Sequence, residues 1–194
     1  MGLRLYTAPT VEPVTLAQAK LWLKVETGDT TDDTLITGLI SAVRQMLEQK
    51  TGRALLGQTW QLTLDAFPDA IELTRVPVLS VTHLKFKDAA GVQQTLAPED
   101  YTVDTERDDG WAYIVPAYGK AWPETIADIN AVEVRWQAGY HATDPAKVPE
   151  ALQTWLQLML GAAYENREAV EQGAEIRTMP FVDRLLDRYT LPRL

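Results

Sequence analysis

Apolar residues recur at helical spacing near both ends of the chain and alternate with polar ones through its middle. Thr15, followed three residues later by Gln18, has the spacing of a capping box, in which each side chain satisfies a free amide at a helix start. This predicts a short helix running to about Val25. Gly28 to Asp33 is a polar turn rich in capping oxygens. Beyond it Leu35, Ile36, Leu39, Ile40, Val43 and Leu47 form one apolar stripe, the pattern of a second helix packed along one face. That helix should stop at Thr51-Gly52, where glycine can take the left-handed closing conformation.

The period then shortens to two. Trp60, Leu62 and Leu64 alternate with polar residues, as in a half-buried strand. Further strands are predicted at 71–74, 78–86, 92–96, 101–103, 111–115 and 131–137. Turn-forming runs separate them, among them Asp88-Ala89-Ala90-Gly91 and Asp108-Asp109-Gly110. Short strands so spaced imply a small antiparallel sheet module.

Helical spacing returns after Pro149, a residue suited to a first helical turn. Leu152, Trp155, Leu156, Met159, Leu160, Ala163 and Tyr164 make a wide apolar face. Gly173 falls in a linker, and Thr178-Met179-Pro180 can open a last short helix with Phe181, Val182, Leu185, Leu186 and Tyr189 on one side. The expected fold class is α+β. Helices from residues 1–58 and 139–194 close into one bundle, and a β-rich insertion occupies 59–138.

Composition narrows the function more than the fold. Hydrophobic residues at 46% and charged ones at 23% are those of an ordinary globular chain that can bury a core. The absence of cysteine excludes a disulfide framework, a thiolate nucleophile and a Cys-based metal site. No segment approaches the roughly 20 apolar residues that span a bilayer, so no membrane partner is expected. The net charge of −9 is uneven: residues 1–58 balance, whereas residues 59–138 carry thirteen acidic side chains against six basic ones. Such a chain repels the phosphate backbone, which disfavours conventional DNA binding.

Candidate chemistry is thin. His83 lies in a predicted strand and His141 in a loop, too far apart in sequence for a zinc spacing, and both read as structural. Glu99, Asp100, Asp104, Glu106, Asp108 and Asp109 cluster, but on turns and around Arg107, which fits a solvated acidic loop better than a catalytic carboxylate pair. No glycine-rich phosphate loop, nucleophile elbow or His-Glu-x-x-His is present. Most of the six tryptophans suit a core or a subunit interface, with Trp122 in an ordered loop. No enzyme and no cofactor are expected.

A series of short motifs adds a family likeness. Pro13-Val14-Thr15-Leu16-Ala17-Gln18-Ala19-Lys20 opens the first helix, and the second ends Glu48-Gln49-Lys50-Thr51-Gly52-Arg53-Ala54-Leu55, leading into Gln58-Thr59-Trp60. Pro77-Val78-Leu79-Ser80-Val81, Asp100-Tyr101-Thr102-Val103-Asp104, Tyr118-Gly119-Lys120-Ala121-Trp122-Pro123, Ala138-Gly139-Tyr140 and Val148-Pro149-Glu150-Ala151-Leu152 follow. The third helix ends Tyr164-Glu165-Asn166-Arg167-Glu168. In this order, over nearly the whole chain, they resemble the head–tail connector (adaptor) family of tailed phages, prophages and gene-transfer-agent-like particles. The β insertion matches that family's larger members.

The resemblance implies a structural virion protein of the neck, assembled in the bacterial cytoplasm. It implies a homo-oligomeric ring, dodecameric by analogy, docked under a portal protein and above a stopper or tail completion protein. DNA would pass through the lumen without specific binding. A cyclic ring needs two different complementary patches on each subunit. Trp155, Met159, Tyr164, Phe181, Leu185, Tyr189, Leu191 and Leu194 are the expected subunit or portal contacts. The stretch from Met179 to Leu194 either reaches a partner or caps its own bundle. Other readings are a different neck or tail protein, such as a stopper or tail terminator, and a carboxylate-dependent enzyme on the sheet module.

Overall fold

Helical and alternating periods build two adjoining cores. The computed structural model describes residues 2–106, 111–166 and 180–191. Helix α1 (Leu16–Leu23) begins at the expected capping box: Thr15 Oγ1 accepts from the Gln18 amide at 3.2 Å, and Gln18 Oε1 accepts from the Thr15 amide at 2.9 Å. Helix α2 (Asp33–Thr51) ends on Gly52 at φ +75°, the left-handed closure its sequence forecast. Helix α3 (Glu150–Glu165) starts directly after Pro149, which stands at the cap rather than inside the first turn.

The apolar stripe of α2, through Ile36, Ile40, Val43 and Leu47, packs on Leu152, Trp155, Leu156 and Leu160 of α3. Segments more than 100 residues apart thus close into one bundle, as expected. Lys20 of α1 is buried, but its Nζ donates to the Asp29 carbonyl at 2.6 Å and pairs with Asp33 at the start of α2. The paired charge ties the two helices together.

The strands, in chain order, are β1 (Gly2–Thr7), β2 (Gln58–Leu64), β3 (Ile71–Leu73), β4 (Val78–Lys87), β5 (Gln93–Leu96), β6 (Tyr101–Asp104), β7 (Ala112–Pro116) and β8 (Val132–Ala138). They form not one sheet but two, both antiparallel: five strands in the order β1-β2-β8-β4-β5, and three in the order β3-β7-β6. Every second residue of β8, from Val132 to Ala138, is buried, which is the period-two signal realised. Those residues share the second core with Leu62, Leu84, Phe86, Ile71, Leu73 and Ile114.

Strand β1 is a departure from the helical reading of the first third. Its only apolar alternation is Leu3 and Leu5, too short to carry a strand signal. It forms because β2 offers its outer backbone edge, from Gly2 opposite Thr63 to Leu5 opposite Trp60. That partner lies some 57 residues away (Arg4 Nη2 donates to Gln61 Oε1 at 3.2 Å), so the strand is tertiary in origin.

At the C-terminal side, α4 (Pro180–Asp183) and a 3₁₀ turn at Arg184–Leu186 bring Val182 and Leu186 into the helical core. Leu191 then enters the sheet core, and its amide donates to the Thr51 carbonyl at 3.1 Å.

The two cores meet where β8 leaves the sheet. Gly139 lies there at φ +147°, and a β-carbon on it would stand 2.6 Å from the carbonyl carbon of Leu56. Backbone cannot yield as a side chain can. Gly139→Ala is therefore expected to cost about 2 kcal/mol or more in urea unfolding; an unchanged midpoint would show that the joint is softer than its geometry.

Candidate functional site

The expected contact residues are mostly engaged within the subunit. Trp155 is fully buried, and its Nε1 donates to Asp183 Oδ1 at 3.3 Å. This corrects the sharing of its face with a neighbour: nothing of that ring is left at the surface. Met159 and Tyr164 are partly buried against the same core, and the Tyr164 hydroxyl donates to the Asp32 carboxylate at the head of α2. Leu185 and Tyr189 also flank this core, while the Tyr189 carbonyl accepts from Arg53 Nε at 2.7 Å. Leu191 is buried against Gly52. The Phe181 side chain and Leu194 lie outside the described residues. From Val182 to Leu191 the segment caps its own bundle.

Beneath it, α2 and the sheet are joined by one carboxylate. Glu48 accepts from the Leu55 amide at 2.9 Å, from Gln58 Nε2 at 2.6 Å and from Arg44 Nη1 at 2.8 Å. Arg44 reaches back through Nε to Glu12 at 2.7 Å. Burial pushes the Glu48 carboxyl up, although the Leu55 amide, Arg44 and Gln58 all favour its charged form.

Beside this joint lies a groove that the sequence did not disclose. The inner side of β1 stands off from α2, leaving a cleft of about 390 Å³ lined by Leu5, Arg53, Trp60 and Arg75, among others. A second cleft of about 220 Å³, sharing Gln49 and Arg75, continues it past Leu3 and Lys50. The Arg75 guanidinium lies over the Trp60 ring, 4.9 Å from its centroid. Among the described residues neither Trp60 Nε1 nor Arg75 Nε meets an acceptor, so this wall is under-satisfied in the lone subunit.

The other candidates resolve into structural roles. His141 Nδ1 accepts from the amides of Thr143 and Asp144, at 3.2 and 2.9 Å, closing a turn. His83 Nε2 lies 2.9 Å from Glu133 on the outer sheet face. In the acidic loop, Asp100 pairs with Lys120 at 2.5 Å, and Asp104 accepts from the Glu106 amide at 3.1 Å; Asp108 and Asp109 lie outside the described residues. Trp122 stacks on Phe67 at 4.7 Å, in an ordered loop as expected. Among the described residues no three His, Asp or Glu converge as a metal site.

No family model matches the chain, and no curated protein does. Solved structures do match it. A chain of the neck of an empty gene transfer agent (GTA) particle, computed with C6 symmetry, is 28% identical with a TM-score of 0.81, covering 100% of this chain and 97% of that one. A chain of the virion of a native GTA particle is 27% identical at TM-score 0.80, with the same coverage. A chain of the neck of a native GTA particle, computed with C12 symmetry, gives 26% and 0.74, again over 100% and 97%. From end to end, this chain is similar to a structural component of the neck of a phage-like particle.

Proposed function

We propose that this chain is a head–tail connector: a structural, non-catalytic neck protein that forms a ring beneath the portal and joins capsid to tail. The observation that carries the reading is the match to GTA neck chains over the full length of both partners, helices and sheets together. A match confined to the bundle would support the fold alone. The C6 and C12 symmetries of those necks support a cyclic ring, for which twelve copies are the natural number.

The chemistry suits a conduit. A net charge of −9 concentrated in residues 59–138 would keep DNA from adhering while it slides, because each favourable phosphate contact would act as a brake. The portal above and a stopper or tail completion protein below are the partners this position requires. Deleting the gene tests the proposal. The expected product is filled or leaky heads with separate tails, whereas normally joined particles from the deletion would refute it.

A further inference from the structure

The five-stranded sheet has two free edges, β1 and β5, about 19 Å apart across four strand spacings. They differ in character. All of β1 is exposed, with Leu5 at 44%, and its inner side forms the groove against α2. Leu3, Leu5 and Trp60 give that groove apolar walls; Lys50, Arg53 and Arg75 make it basic on a chain that is otherwise acidic.

The opposite corner of the sheet is its complement. The β4–β5 turn and the segment before β8 are pinned together: Lys87 pairs with Asp128 at 2.8 Å, the Lys87 amide donates to the Ala131 carbonyl at 2.8 Å, and Asp88 accepts from the amides of Ala90 and Val92. Held this way, the corner exposes Val92 at 54% and Ile129 at 72% beside Asp88 and Asp128. An isolated subunit gains nothing from apolar tips fixed in water.

A closed ring requires two unlike patches facing away from one another, and a basic apolar groove on one edge with acidic apolar tips at the other meets that requirement. We infer that the β1–α2 groove of one copy receives the β4–β5 corner of the next copy, Ile129 seating against Leu5 and Trp60, with Asp88 and Asp128 near Arg53 and Arg75. The inference rests on the ring reading and names its subunit contact. It leaves the helical bundle free to meet other neck proteins.

The absence of cysteine makes the test clean. Leu5→Cys and Ile129→Cys, both at exposed positions, are introduced singly and together, and assembled particles are treated with a flexible bis-maleimide. The double variant should give a ladder of covalent multimers, and each single variant only monomer. Intact necks containing the double variant without a ladder would overturn the contact while leaving the ring. Dimers from Leu5→Cys alone would overturn it too, by showing β1 edges meeting each other. Necks that assemble without this chain would overturn both. Independently, Ile129→Asp should lower incorporation into particles about tenfold, the scale of one interface hot spot; unchanged incorporation would contradict the contact.

Discussion

Replacing Trp155 by alanine should remove about 3–5 kcal/mol from the stability of the subunit, the range for deleting a buried aromatic ring. Trp155 is the largest fully buried side chain of the helical core, and it touches the problem from three sides. Its ring fills the space between the α2 stripe and α3. Its Nε1 holds Asp183, which in turn pairs with Lys50 at 2.6 Å, so the ring also fixes the capping segment to the end of α2. A domain of this size has about 5–15 kcal/mol in total, so the loss is a large share. Trp155→Phe keeps most of the volume and loses the hydrogen bond, and should cost nearer 1 kcal/mol beyond the smaller ring. Denaturant unfolding of both variants checks the claim. A loss under about 1 kcal/mol for the alanine variant would mean that α2 and α3 do not depend on each other as described.

Glu48 should show a contrast between truncation and neutralisation. Glu48→Ala strands the Leu55 amide and Gln58, and leaves Arg44 with Glu12 and Ser41. Breaking a buried ion pair from one side costs about 3–5 kcal/mol. Glu48→Gln keeps an acceptor oxygen for the Leu55 amide and sheds the cost of burying charge, so it should cost about 1 kcal/mol or less.

The two forms differ in pH dependence as well. Burial raises the folded carboxyl above its unfolded value, so folding favours the protonated form. Its contribution is fully present below the unfolded value and declines as pH rises through the folded one. The native protein should therefore lose stability relative to Glu48→Gln between about pH 4 and pH 7. A gain over that interval would show that Arg44 outweighs burial.

Local signals and tertiary signals parted company along this chain. The capping box at Thr15, the closure at Gly52 and the alternation in β8 depend on residues within a few positions of one another, and they were readable. The closing of α2 on α3 was readable too, because each presents an apolar stripe that only another helix can cover. Strand β1 was not, since its partner is far away in sequence and its own pattern has two apolar positions. Nor was the division into two sheets, which depends on Ile71–Leu73 pairing with Ala112–Pro116 rather than with its neighbours in sequence.

The candidate surface followed the same rule in reverse. Aromatic and aliphatic residues on helices, such as Trp155 and Leu191, looked available because sequence cannot say which apolar face the subunit itself consumes. The residues left over, Leu5 and Ile129, are scattered singly among polar neighbours and gain meaning only when the sheet order places them at opposite edges. Arg53 and Arg75 read as ordinary strand and loop cations until the groove brings them together.

The most direct measurement is an electron cryomicroscopy reconstruction of the particle neck. The connector reading requires twelve copies of this subunit in a closed ring beneath the portal, their sheets arranged edge to edge around the channel. A fully occupied neck in which no density fits this subunit, or in which it lies elsewhere in the particle, would contradict it.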